Sequence, residues 1–268
     1  SGRIYDVGAD VDQVTSECSA DLFKLCEVGQ VGRERVLREY IVDMHREVID
    51  TFQRGVKRHM GPQTGFNYLD NILPGFGPGQ LIVEAARPRT GKSAKLMQTA
   101  EHIAGSGTAV AVFSLEMTGL ALTTRATFQR AGSNLSRFIN GFMEDEDVQR
   151  IHAATTQLMP LPIYIDESPR LSIEDLEIRS RRMKRQHGIG ILFIDYFQLL
   201  FVRQRHKQWS KSDELAECSM RLKALARELR IPIYVAAQMN REIEKETHRR
   251  PRLSDLRDTG QLEQDADV

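Results

Sequence analysis

The run Gly91-Lys92-Ser93 contains the residue types that bind a nucleoside triphosphate. It ends a turn of small residues and proline that lies between a short apolar strand, Leu81–Val83, and a helical run over 94–103. Such a turn lets backbone N–H groups surround a polyphosphate at a helix N-terminus, where the helix dipole also favours negative charge. Lys92 would reach the terminal phosphates, and the Ser93 hydroxyl would ligate Mg²⁺.

This predicted phosphate loop departs from the generic pattern at one position. The pattern has Gly five residues before Gly91, where this chain has Ala86. Ala is small enough for a phosphate to approach the backbone. The alternative is an ordinary strand–turn–helix with a chance Gly-Lys-Ser, but the flanking strand and helix favour nucleotide binding. The predicted nucleotide-binding residues of the loop are Ala86, Arg87, Pro88, Arg89, Thr90, Gly91, Lys92, Ser93 and Ala94.

Three other apolar runs end in a polar side chain. Asp195 closes one of them, the usual setting for an acid that holds Mg²⁺-bound water, although a turn-capping Asp is the alternative. Glu116 follows a second run and could orient the water that attacks the γ-phosphate, but Glu at a strand end is common. Gln238 ends a third run and could sense the γ-phosphate, or it could be a loop amide in solvent. The phosphate loop upstream favours the metal role for Asp195.

Apolar runs alternate with helical patterns through residues 109–236. The runs are 109–113, 163–165, 189–194 and 231–236. Buried runs separated by amphipathic helices predict an α/β fold, with a mostly parallel sheet covered by helices on both faces. In such sheets the ligand lies beyond the carboxyl ends of the strands, where Glu116, Asp195 and Gln238 are expected.

Residues 1–58 are predicted to form a helical N-terminal segment, followed by one larger domain over 59–268. Two helical stripes of apolar residues cover 14–25 and 37–52. The second stripe has charged residues on its opposite face, so it must be buried against its own core or against another subunit. Both arrangements remain open from the pattern alone.

Composition restricts the setting more than the function. The 268 residues carry a formal net charge of +0, so any nucleic-acid site must be local. The three cysteines have no metal or redox spacing, which suits a reducing cytoplasm. No apolar run approaches the roughly 20 residues of a membrane span, so no membrane partner is expected.

A loop of mixed charge, 240–260, directly follows Gln238 and could move with hydrolysis, whereas the basic run 179–185 is expected to be a solvated helix face.

Taken together, these segments resemble the motor domain of the DnaB-family replicative DNA helicases. The resemblance includes Ala85-Ala-Arg-Pro-Arg-Thr-Gly-Lys-Ser93, Phe113-Ser-Leu-Glu-Met117 and Ile194-Asp-Tyr-Phe-Gln-Leu199. It runs in order through roughly residues 20–268. The other matching stretches are 64–70, 222–229, 237–241, 250–260 and 263–267.

The resemblance implies a hexameric ring of RecA-like domains that uses ATP and Mg²⁺ to translocate on single-stranded DNA and separate the duplex. It implies that Lys92 and Ser93 bind the phosphates and Mg²⁺, and that Asp195 is the metal-side acid. Glu116 would be the catalytic carboxylate, and Gln238 would couple nucleotide state to DNA.

Further positions match the family only by motif. Arg125 matches an arginine of the nucleotide-binding motif, and the loop with Arg257, Asp258 and Gly260 would line the pore and hold the DNA backbone. A ring that tracks arbitrary sequence should contact phosphates rather than base edges. The N-terminal segment corresponds to a linker helix that packs on the neighbouring subunit. A helicase loader and a primase are the partners expected of the full-length protein.

Two parts of the family pattern are expected outside this sequence, an N-terminal primase-contacting domain and the segment that supplies an arginine finger. An arginine finger is worth about 10³–10⁵ in rate in related phosphoryl-transfer enzymes, so a truncated chain would hydrolyse ATP weakly. Two alternatives to the motor therefore stand. One is a RecA-like recombinase that forms filaments, and the other is an ATP-dependent DNA clamp with weak hydrolysis.

Overall fold

The computed structural model describes residues 36–54, 60–203, 209–239 and 260–268. The chain divides into two compact units, residues 1–58 and 59–268, and each is described by itself. Two parts of the sequence prediction lie outside the described residues, the helical stripe over 14–25 and nearly all of the charged loop after Gln238.

The described part of the first unit is one helix, α1, Leu37–Arg54. It is the helix that the second apolar stripe predicts. Ile41, Met44, Val48 and Phe52 of that stripe are exposed. The amphipathic pattern is therefore realised as a helix whose apolar side chains remain accessible within the described structure.

The second unit is built on a parallel sheet, as predicted. Its five strands have the order β1-β5-β4-β2-β3, and every pair is parallel. Each strand continues past the carboxyl end of its apolar run, because backbone pairing persists where polar side chains begin. The strands are β1 Leu81–Ala86, β2 Val110–Ser114, β3 Ile163–Asp166, β4 Ile191–Asp195 and β5 Ile233–Gln238.

Helices cover both faces of this sheet, which confirms the predicted layers. One apolar core joins the sheet to α3 and α4, and the other joins it to α7 and α8. None of the described helices is long and apolar enough to cross a membrane. In chain order the described helices of this unit are α2 Asn67–Ile72, α3 Lys92–Gly105, α4 Gly119–Ala131, α5 Leu135–Ile139, α6 Asp145–Leu158, α7 Ile173–His187, α8 Lys211–Leu229 and α9 Gly260–Asp265.

Alternation along the strands decides which side chains reach the α3 face. In β4, Ile191 and Phe193 belong to the core under α3, whereas Leu192 and Ile194 belong to the opposite core. Side chains two residues apart share a face of a sheet, so Asp195 continues the α3 phase. The strand that was predicted from its apolar run therefore directs its terminal acid toward the helix that follows the phosphate loop.

Candidate nucleotide-binding site

The predicted phosphate loop is a tight turn between β1 and α3. Gly91 lies before the first helical residue with φ of 94°, a left-handed conformation that side chains disfavour. Its carbonyl accepts a hydrogen bond from the Lys95 N–H at 2.9 Å, and the Thr90 hydroxyl donates to the Arg87 carbonyl at 2.7 Å. The first N–H groups of α3 have no partner within the helix and are available to an anion.

Lys92 is surrounded by acids. Burial lowers the pKa of its ammonium group, and Asp195, Glu116 and Glu84 oppose that shift in part. Its Nζ also lies 5.0 Å from the centre of the Tyr196 ring. A lysine held in this way loses its charge at a lower pH than a solvated lysine, and a phosphate group would restore the preference for the charged form.

Asp195 is a buried carboxylate that lacks donors. It is 1% exposed, and neither oxygen accepts a hydrogen bond of ordinary geometry from the described residues. Burial raises its pKa, and the neighbouring Ser93 hydroxyl and Lys92 ammonium lower it in part. Burying an acid in this way is costly unless a cation or a donor satisfies it.

The donor set at this edge of the sheet fits Mg²⁺. Among the described residues there is no group of three or more His, Cys, Asp and Glu side chains that could hold a metal ion. Mg²⁺ does not need one, because it takes one or two protein oxygens and completes its shell with water and substrate phosphates. The Ser93 hydroxyl and the unsatisfied Asp195 carboxylate are the two oxygens that meet this requirement.

Glu116 lies in a turn that one hydrogen bond joins to Asp195 and two others stabilise. The Leu115 N–H donates to the Asp195 carbonyl at 2.8 Å, and the Ser114 hydroxyl donates to the Met117 carbonyl at 2.7 Å. The Gly119 N–H donates to the Glu167 carboxylate at the start of α4. The Glu116 side chain is exposed and contributes to the electrostatic environment of Lys92. It is therefore accessible to water on the Lys92 side of the sheet edge.

The remaining predicted site residues are less closely joined to this cluster. Gln238 is the last residue of β5 and is paired with Ala86 of the phosphate loop. Arg125 is exposed on α4, and no hydrogen bond or ion pair in the described part of the chain joins it to Lys92 or Asp195. Arg257 and Asp258 lie outside the described residues, and Gly260 is the first residue of α9.

Sequence reasoning missed a polar cluster behind the phosphate loop. Lys95 Nζ lies 2.7 Å from Glu84 Oε1, and the Tyr234 hydroxyl donates to the same carboxylate. Burial, and next the Glu84 charge, raise the pKa of Tyr234. These contacts tie the first turns of α3 to β1 and β5. Two features of the sequence could have indicated this cluster. One is Glu84, an acid inside an apolar strand, and the other is Lys95, a second lysine three residues after Lys92.

The chain also matches a family of known proteins. The family model described as DnaB-like helicase C terminal domain matches residues 61–268. The chain is 32% identical to the replicative DNA helicase DnaB of Geobacillus stearothermophilus, over 97% of this chain and 57% of the relative. It is 34% identical to the DnaB of Helicobacter pylori, over 92% of this chain and 51% of that protein. The chain thus spans about half the length of these curated relatives.

Two solved structures have the same fold. One is an ATPase domain that superposes with a TM-score of 0.80 and 28% identity, and the match covers 88% of this chain and 82% of that domain. The other is a DnaB-like replicative helicase, described with its interactions with primase, which superposes with a TM-score of 0.76 and 27% identity. That match covers 94% of this chain and 60% of the other. The RecA-like fold expected from the sequence is therefore confirmed.

Replacing Asp195 with Asn tests the cost of its burial. Because the folded pKa is raised above 3.8, the carboxyl group favours folding below that pH, and this contribution is lost as the pH rises through the folded pKa. In magnesium-free buffer at pH 8, Asp195→Asn should raise the free energy of unfolding by on the order of 1 kcal/mol. The gap should narrow as the pH falls through the raised folded pKa toward 3.8, which urea unfolding at several pH values measures.

Asp147 provides a matched control of opposite sign. It accepts a hydrogen bond from Arg150 and pairs with Arg137, and the Arg150 bond is the main reason that its pKa is lowered. Asp147→Asn should therefore reduce stability at pH 8, and its effect should shrink as the pH falls. An Asp195→Asn protein that is no more stable than wild type at pH 8, or a gap that does not depend on pH, contradicts the assignment of a costly buried acid.

Proposed function

This chain belongs to the DnaB-like helicase C terminal domain family, and we propose that it is the ATP-driven motor of a replicative DNA helicase. The observation that carries the proposal is the meeting of Lys92, Asp195 and Glu116 at the carboxyl edge of the sheet, beside the turn that opens α3. A cation, a metal-side acid and a solvent-accessible carboxylate are the groups that hydrolysis of a triphosphate requires.

ATP binding begins with the phosphate loop. The N–H groups at the start of α3 would hold the phosphate oxygens, and Lys92 would move from its position over Tyr196 to pair with the terminal phosphates. Ser93 and Asp195 would hold Mg²⁺, which when bound supplies positive charge that neutralises the phosphates. The Glu84–Lys95–Tyr234 contacts support the loop from behind, so that its N–H groups keep their direction as charge develops.

Glu116 is the proposed general base. Its carboxylate would accept a proton from the water that attacks the γ-phosphorus, as the bond to the leaving ADP oxygen breaks. Exposure of the side chain allows water to reach it, and the bonds through Ser114 and Leu115 fix its turn relative to Asp195. The attacking water and the phosphate-binding residues would then meet at the same strand ends.

DNA would be held by the segment that follows Gln238. Gln238 would report the presence of the γ-phosphate, and Arg257, Asp258 and Gly260 would contact the backbone of single-stranded DNA. This assignment rests on the sequence pattern and on the basic residues of the segment. A homo-hexameric ring in the cytoplasm is the proposed assembly. A primase and a helicase loader are the proposed partners of the full-length protein, and the solved DnaB-like helicase above is described with a primase.

The motor is favoured over a recombinase or a passive clamp because the relatives reported above are named replicative DNA helicases. Measurement of ATP turnover with and without single-stranded DNA tests the proposal. A motor hydrolyses ATP and turns over faster on DNA. A clamp binds DNA in ATP without effective hydrolysis, and a recombinase forms open filaments that electron microscopy distinguishes from closed rings.

Glu116→Gln should separate binding from chemistry. The amide keeps the size of the side chain but cannot take the proton, so turnover should fall by about 10²–10⁴ while the affinity for MgATP is preserved. Phosphate release and equilibrium titration measure the two quantities. The exposed Glu146 in the first turn of α6 offers a control, since Glu146→Gln should leave both unchanged. Retained turnover in Glu116→Gln would remove Glu116 from the catalytic role.

Arg257→Ala should weaken single-strand binding whatever the base sequence. Each phosphate contact that is lost should reduce the slope of log affinity against log salt by about 0.7. Fluorescence anisotropy with poly-dT and a mixed-sequence oligonucleotide over a salt series gives both results. Arg182 on the exposed part of α7 is the matched control, and its replacement with Ala should not change the slope. An unchanged slope in Arg257→Ala excludes that residue from the backbone contact.

A further inference from the structure

The end of β5 is paired on both sides by different means. On one side Gln238 is paired with Ala86, and the Met239 N–H donates to the Ala86 carbonyl at 3.1 Å. On the other side the last pair between β4 and β5 is Asp195 with Ala236. Because the chain leaves the sheet after Asp195, Gln238 has no partner from β4.

The side chain of Gln198 takes the place of that missing partner. Its Nε2 donates to the Gln238 carbonyl at 3.0 Å, and its Oε1 accepts from the Gln238 N–H at 3.1 Å. A carboxamide has one donor face and one acceptor face, so the two bonds fix its orientation. With its amide reversed, Nε2 would meet the N–H and Oε1 would meet the carbonyl, and both bonds would be lost.

Gln198 is itself held by the segment that begins at the metal-side acid. It is the middle residue of a 3₁₀ turn, Phe197–Leu199, that starts two residues after Asp195. Phe197 and Leu200 on either side are both 0% exposed, and the Leu200 N–H donates to the Phe197 carbonyl at 3.0 Å. The buried neighbours anchor the turn, so the amide of Gln198 has little freedom to turn away from β5.

We propose that Gln198 is a positioning residue that sets the main chain of Gln238 relative to both halves of the nucleotide site. Gln238 is thereby linked to the phosphate loop through Ala86 and to Asp195 through the 3₁₀ turn. If the phosphate loop or Asp195 shifts on nucleotide binding or hydrolysis, the main chain of Gln238 and the start of the segment that follows it move as well. The coupling role rests on the proposed helicase function, whereas the positioning of Gln238 does not.

A side-chain link suits this role better than a continuous strand. Strand pairing is cooperative along the ladder, and its loss would expose several backbone groups of the sheet. The two hydrogen bonds of the Gln198 carboxamide can lengthen or break while the backbone pairs between β4 and β5 stay formed. The end of β5 can therefore move by a small amount without unfolding of the core.

Amide hydrogen exchange in the nucleotide-free protein tests the positioning itself. Gln198→Ala removes the acceptor of the Gln238 N–H, so NMR should show exchange of that amide at least about tenfold faster than in wild type. The amides of Val235 and Ala236 should keep their protection, which verifies that the strand is folded. Gln157→Ala, which removes a surface bond to Arg130, is the matched control and should leave the Gln238 amide unchanged. Unchanged exchange in Gln198→Ala overturns the proposal.

The ratio of ATP turnover with and without single-stranded DNA tests the coupling in the full-length protein. Gln198→Ala should bring the ratio close to one, while the affinity for an ATP analogue and the turnover without DNA stay within about threefold of wild type. Gln198→Glu should behave similarly, because a carboxylate of the same size cannot donate to the Gln238 carbonyl. A ratio that stays at the wild-type value, or losses of equal size in all three quantities, contradicts a coupling role.

A double variant tests whether Gln198 acts through Gln238. If it does, adding Gln198→Ala to Gln238→Ala should lower the DNA-dependent ratio no further. A ratio that falls by the product of the two single effects shows that the Gln238 main chain, which Gln238→Ala retains, carries the coupling without the side chain, and it overturns the route through the Gln238 side chain. If wild type itself shows no DNA-stimulated turnover, the helicase function fails, and the exchange of the Gln238 amide still decides the positioning claim.

Discussion

The site depends on two opposite charges that are removed from water at the same sheet edge. Burial lowers the pKa of Lys92 and raises that of Asp195, so each charged form is disfavoured by its surroundings. Their mutual attraction offsets this cost in part. Among the described residues, neither Asp195 oxygen accepts a hydrogen bond of ordinary length and angle. Phosphate oxygens for Lys92 and a magnesium ion for Asp195 would satisfy both, so energy spent on folding becomes available to binding.

In a parallel sheet, short strands are enough to produce this arrangement of charged groups. Residues two apart share a face, and the α3 face of the strands continues from the apolar core into Glu84 within β1 and into Asp195 and Gln238 at the ends of β4 and β5. The same packing that buries Phe193 under α3 therefore directs the terminal acid of β4 toward Ser93. The reactive side chains lie at this edge because the apolar residues of each strand end there and polar residues follow on the same face.

That logic explains which parts of the molecule the sequence could predict. The five strands follow from short apolar runs. The loop at Gly91 follows from the sequence Gly-Lys-Ser between a strand and a helix, a pattern typical of phosphate binding. The Glu84–Lys95–Tyr234 cluster and the bonds from Gln198 to Gln238 could not be found in this way, because they depend on which strands are neighbours. Chain order places β5 last, whereas the sheet places it between β1 and β4.

Other expectations remain predictions because the described residues do not include the contacts that they require. The apolar side chains of α1 are exposed in the described structure, and the linker role assigned to them requires a neighbouring subunit. The role of Arg125, exposed on α4, also stays a prediction. Arg257 belongs to a segment outside the described residues, so its contact with DNA is argued from the sequence pattern alone. The nucleotide site is independent of these points, since its groups lie within a single unit.

Equilibrium titration with a fluorescent ATP analogue in magnesium buffer tests the central claim most directly. Wild type should show saturable binding, and Lys92→Ala should weaken it by about tenfold or more, as loss of a charge-assisted bond to phosphate predicts. Lys184, whose Nζ donates to the Ile189 carbonyl before β4 begins, is the matched control, and Lys184→Ala should bind like wild type. Absence of saturable binding in wild type, or equal affinity in Lys92→Ala, would contradict a triphosphate site built on Lys92 and Asp195.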